Sequence, residues 1–160
     1  MSWLDKLLGT DPQTEAARSK ASFEAEVVRR ASAIPLERWE PVGGLRAKHA
    51  VDSTYYVHGE FDGDVVATTD GGARLELRRK DSLHGAAFQL VVDGQVGASY
   101  SVWGGGDGYP ETCRGCKSVM DLYHRIKKHW APAIRQRDDE DRRQKERDAE
   151  THRRDLLGRL

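Results

Sequence analysis

The sequence predicts an α+β protein: a five-stranded antiparallel β-meander backed by a helix, with an N-terminal helical arm and a long charged C-terminal helix. Three observations carry this reading. Between Val51 and Trp103 apolar and polar residues alternate with period two, the period of a strand that buries one face. Gly-containing breaks, three of them Asp-Gly, cut that run into hairpin-sized segments. Downstream, Val119, Leu122, Tyr123, Ile126, Trp130 and Ile134 recur within roughly 120° of arc at about 100° per residue, which is an amphipathic helix. The organisation that follows is a helical arm over residues 1–40, an α+β core domain over 45–131 and a charged helix over 132–160.

At the N-terminus, Ser2 precedes Trp3, Leu4, Leu7 and Leu8, and Asp5 completes a capping box, so a short amphipathic helix ending near Gly9 is expected. Asp11-Pro12 opens a second helix, because Pro suits a first turn. Phe23, Val27, Ala31 and Ile34 mark its apolar stripe, and Pro35 stops it. Trp39, Pro41 and Gly43-Gly44 form a connector into the sheet. The strands are expected at 51–61, 64–69, 73–80, 86–92 and 95–103, broken at Asp62-Gly63, Asp70-Gly71-Gly72, His84-Gly85 and Asp93-Gly94. One face collects Val51, Tyr55, Val57, Phe61, Leu75, Leu77, Phe88, Leu90, Val92, Val96, Ala98, Tyr100 and Val102, while the other is mostly polar. A sheet with one greasy face needs a cover, and the 119–134 stripe supplies it.

After Pro132 the character changes. Residues 135–154 hold almost no apolar side chain, so this segment buries no face. Its support comes from acid-before-base pairs four apart, Asp138 with Arg142, Asp139 with Arg143, Asp141 with Lys145 and Glu150 with Arg154, each contributing about 0.2–0.5 kcal/mol. No heptad seam runs through it, which argues against a long coiled coil. Leu156, Leu157 and Leu160 return apolarity at the end.

Composition narrows the function classes. The 160 residues carry 26 Lys and Arg against 26 Asp and Glu, and the balance persists in 134–160 with nine basic and eight acidic residues. A chain that grips nucleic acid mainly through phosphates shows a basic excess on some element, and no segment here does. The first nine residues lack the basic start and long apolar run of a secretory signal, so a cytoplasmic protein is expected. Two cysteines are too few for a disulfide scaffold. The preponderance of Arg over Lys, with abundant Ala, Gly and Asp, suggests a bacterial or phage origin.

Several motifs invite chemistry. Cys113-Arg-Gly-Cys116 followed by His124 and His129 has the donor set of a tetrahedral zinc site. Helical positions five apart point about 140° from one another, however, so the two imidazoles converge only on a distorted helix. The same cysteines have the spacing of a redox dithiol at a helix start, but the preceding strand belongs to an antiparallel meander rather than a parallel βαβ unit. Gly104, Gly105, Gly106, Asp107 and Gly108 form a glycine-rich ligand-loop candidate feeding a helix, although without the Lys and Ser/Thr of a P-loop. Arg78, Arg79 and Lys80 together with Arg125, Lys127 and Lys128 are the candidate nucleic-acid cations, with Tyr56, Trp103 and Tyr109 as candidate stacking partners. No catalytic constellation assembles and no cofactor is implied. The leading expectation is a small non-enzymatic binding or adaptor protein, engaging a protein partner or a second copy of itself through Trp3, Leu4, Leu7, Leu8, Leu156, Leu157 and Leu160. Nucleic-acid binding and a CxxC-dependent redox or zinc role are the alternatives.

Overall fold

The computed structural model describes residues 12–42, 64–82, 84–104 and 110–160. The expected short N-terminal helix, the expected strand over 51–61 and most of the glycine-rich loop lie outside those residues. The described elements run in the order α1 (Pro12–Ser32), a 3-10 turn (Leu36–Arg38), β1 (Glu40–Pro41), β2 (Val65–Thr68), β3 (Arg74–Ser82), β4 (Gly85–Val92), β5 (Gln95–Trp103), β6 (Thr112–Gly115) and α2 (Lys117–Gly158).

The strands form one antiparallel meander in sequence order, with six strands among the described residues rather than five. Four expected strands are present, and two short edges are added. β1 pairs only Glu40 and Pro41 with β2. β6 pairs Thr112–Gly115 along β5. Neither edge has enough alternation to announce itself in sequence. The Asp-Gly turns behave as their chemistry demands: Asp93 and Gly94 both take positive φ, 47° and 83°, as a tight hairpin requires.

Leu75, Leu77, Phe88, Leu90, Ala98 and Tyr100 share the buried face, packed beneath Val119, Leu122, Tyr123, Ile126 and Ile134 of α2 and Val28 and Ala31 of α1. Val96, expected on that face, is instead 55% exposed. The cause is a register shift: Leu90 faces Ala98 but Val91 faces Val96, so Gly97 is an extra residue and everything before it on β5 changes sides. Gly97 also lets α1 come close, since a Cβ there would sit 3.0 Å from the Val27 side chain and 3.1 Å from that of Val92.

Three further expectations are corrected. Trp39 is not connector but core, fully buried, with its carbonyl accepting a 2.6 Å hydrogen bond from the Trp130 indole. Phe23, placed on the apolar stripe of α1, is 63% exposed because the first half of that helix extends beyond the sheet. Pro132 does not divide the C-terminal region into two helices: α2 runs unbroken through it for 42 residues. Anchors on both sides hold the helical path, Trp130 through its bond to Trp39 and Ile134 by burial. Beyond Asp138 every residue of α2 is exposed.

Candidate functional site

The CxxC motif spans the join between β6 and α2. Cys113 is exposed on β6, where its thiol donates to Glu111 at 3.4 Å, and Cys116 is half-buried at the residue before α2. The Cys116 amide donates to the Ser99 carbonyl, and Gly115 turns the chain at φ 97°, where a Cβ would strike the Ser99 carbonyl. The Tyr100 hydroxyl is hydrogen-bonded to Cys113, and that bond, with burial, pushes its pKa up to about 12.

The imidazoles do not join the thiols. His124 lies edge-on to Phe88 and Tyr123, 5.8 and 6.0 Å between ring centres, while His129 lies against Trp130 at 5.2 Å. Among the described residues no three His, Cys, Asp or Glu side chains gather closely enough to hold a metal.

The glycine-rich loop is described only at its start. There Gly104 takes φ 89° and donates its N–H to the His84 carbonyl, so this amide is spent on the chain itself rather than presented to an anion. Gly105, Gly106, Asp107 and Gly108 lie outside the described residues.

The basic residues divide between the two sides of the sheet. Arg78 and Lys80 stand on the face away from the helices, and Arg78 grips Glu76 at 2.9 and 3.1 Å, which holds that carboxyl below its usual range. Arg79 alternates to the other side, where its guanidinium carbon lies 5.8 Å from both the Phe88 and Tyr123 ring centres. Arg125, Lys127 and Lys128 ride on α2, in the layer that covers the opposite face, and Arg125 reaches the Ser32 carbonyl at 3.4 Å. The expected single patch of six cations does not form. Of the stacking candidates, Trp103 is 43% exposed, and Tyr56 and Tyr109 lie outside the described residues.

The C-terminal leucines are displayed. Leu156 is 47% exposed, Leu157 70% and Leu160 fully, whereas Trp3, Leu4, Leu7 and Leu8 lie outside the described residues. The arm that carries them pairs its charges locally, though not always as expected. Glu150 takes Arg154 at 3.2 Å, but Asp139 takes Arg142 rather than Arg143, and Asp141 takes Arg137 rather than Lys145. On α1, hydrogen bonds from Arg29 and then Arg30 hold the Glu26 carboxyl down at about 2.

A groove of about 550 Å³ opens between the end of α1 and the β2–β3 turn, floored by Val27, Ala31, Leu75 and Val92. Arg38 closes one side of it, bound to Asp70 at 2.8 Å and to the Thr68 carbonyl at 2.7 Å. No described helix is long and apolar enough to cross a membrane. No protein family matches the chain, and neither a curated protein nor a solved structure shows detectable similarity to it.

Proposed function

We propose that this is a non-enzymatic binding protein of the cytoplasm, of bacterial or phage origin, which engages another protein through the end of its C-terminal helix. The observation that carries the reading is the placement of Leu156, Leu157 and Leu160. They are exposed at the tip of a helix whose residues beyond Asp138 bury nothing, so they contribute no core packing to the fold. From Ile134 to Gly158 the helix extends about 36 Å at 1.5 Å per residue, which carries the leucines well clear of the domain. Exposed apolar clusters on charged elements serve as anchors for partners that lay an apolar surface against them.

Two variants of the full chain test this. Leu156→Ser with Leu157→Ser keeps the helix and removes the anchor. Ending the chain after Asp138 removes the arm but keeps Ile134. Both should melt within about 2 °C of the parent, because exposed residues contribute little to stability, and both should lose the partners that the parent retains from a host extract. A truncated chain that fails to fold, or an undiminished set of captured partners, would overturn the proposal.

A further inference from the structure

The helices cover one face of the sheet, and the other is open around Lys80, Gln89, Trp103 and Arg114, although Val91 on that same face is buried. Alternation that sends Leu75, Leu77, Phe88, Leu90, Ala98 and Tyr100 to the core puts Arg78, Lys80, Ala87, Gln89, Ser99 and Ser101 on the far side. Gln89 is exposed although β4 is an interior strand, and Ala87, Ser99 and Ser101 keep partial exposure. A mid-sheet side chain reaches solvent only where no second layer lies over it.

Register aligns chemistry across this face. Lys80 pairs with Ala87, Ala87 with Ser101 and Ser101 with Arg114, so one row runs from β3 to β6 with a cation at each end. At about 4.8 Å per strand those cations stand roughly 14 Å apart at the backbone. The adjoining row is Arg78, Gln89 and Ser99. The floor between them is therefore low and rich in hydrogen-bonding groups. On the far side of the first row Trp103 pairs with Gly85. The indole Cε3 lies 3.0 Å from where a Cβ on Gly85 would sit, so the bare glycine lets the ring settle beside the strand while it stays 43% exposed. Among the described residues from β3 to β6 this face holds Arg74, Arg78, Lys80 and Arg114 against Glu76, which Arg78 already occupies, while Asp64 before β2 adds a second acid beside Arg78. Among the described residues neither Lys80 nor Arg114 forms an ion pair with an acid.

We infer that this open face binds single-stranded nucleic acid, with phosphates at Lys80 and Arg114 and a base stacked on Trp103. A flat, positively charged floor with one exposed aromatic ring suits a strand that offers both phosphates and unstacked bases. A duplex hides its base faces, and an acidic peptide has no use for the ring. The inference is independent of the leucine-tipped arm, which belongs to another element.

The test uses the full-length protein and a fluorescently labelled oligothymidylate, with binding read by anisotropy over a salt series. Two neutralised phosphates predict a slope of log affinity against log salt of about −1.4, at roughly 0.7 per phosphate on single strands. Lys80→Gln and Arg114→Gln, both at exposed positions, should each flatten the slope by about 0.7. Trp103→Ala should weaken binding roughly ten-fold, with Trp103→Phe recovering most of the loss. Arg143→Gln on the arm should change nothing. Absence of binding at low salt overturns the inference, as does affinity that survives the Lys80→Gln, Arg114→Gln pair. Equal competition by heparin or duplex DNA overturns it in favour of a general polyanion surface, and equal competition by polyglutamate in favour of an acidic protein.

Discussion

Replacing Arg79 by alanine removes the side chain whose placement separates the tertiary structure most clearly from a surface reading of Arg78-Arg79-Lys80. Arg79 is half-buried on the core face, its guanidinium within 5.8 Å of the Phe88 and Tyr123 ring centres, and those two rings are 5.4 Å apart. Two cation–π contacts contribute about 0.5–1 kcal/mol each. The half-covered methylenes of the stem add about 1 kcal/mol at roughly 0.8 per fully buried CH₂. Arg79→Ala should therefore cost about 2–3 kcal/mol, which lowers Tm by roughly 5–10 °C in a chain of this size. Arg79→Met keeps the stem and should lose about half as much. Arg78→Ala breaks only an exposed pair with Glu76 and should cost about 0–1 kcal/mol. Urea and thermal unfolding followed by circular dichroism measure all three. If Arg78→Ala proved as costly as Arg79→Ala, the assignment of faces on β3 would be wrong, and every core assignment on that strand with it.

Leu90→Ala should cost about 2–5 kcal/mol, as truncation of a fully buried leucine does, while Gln89→Ala next to it should cost little; equal urea midpoints would refute the alternation on β4. Gly97→Val should destabilise by about 1–3 kcal/mol, because its Cβ arrives 3.0 Å from Val27 and 3.1 Å from Val92, and combination with Val27→Ala should recover part of the loss in the same unfolding assay. Tyr100 keeps its proton up to about pH 12 in the folded chain, above the ordinary tyrosine value near 10, so the stability it contributes is complete below about pH 10 and disappears as pH rises through 12. The phenolate absorbance missing from Tyr100→Phe should accordingly appear near pH 12 in the parent, and its appearance near pH 10 would refute the hydrogen bond with Cys113.

The α+β class, four of the strands, α1 and the core stripe of α2 were legible because each rests on a local period, two for a strand and about 3.6 for a helix, with turn residues marking the ends. The core positions Leu75, Leu77, Phe88, Leu90, Val119, Leu122 and Ile126 follow from the same periods. The inward aim of Arg79 was also present in the alternation of Leu75, Leu77 and Arg79, but a run of three cations suggests a surface. Other features depend on which residues far apart in sequence come together, and period carries no such information. Trp39 is core only because elements distant in sequence close over it, Ile126 and Ile134 of α2 among them, while Trp130, 91 residues later, bonds to its carbonyl. Val96 is exposed only because the β4 and β5 register slips by one at Gly97. β6 is a strand only because β5 offers it an edge. The row from Lys80 to Arg114 exists only through three successive pairings. The divergence of His124 from His129 was already in their five-residue spacing, about 140° on a helix, and packing decides only which rings each imidazole meets, Phe88 and Tyr123 for His124 and Trp130 for His129.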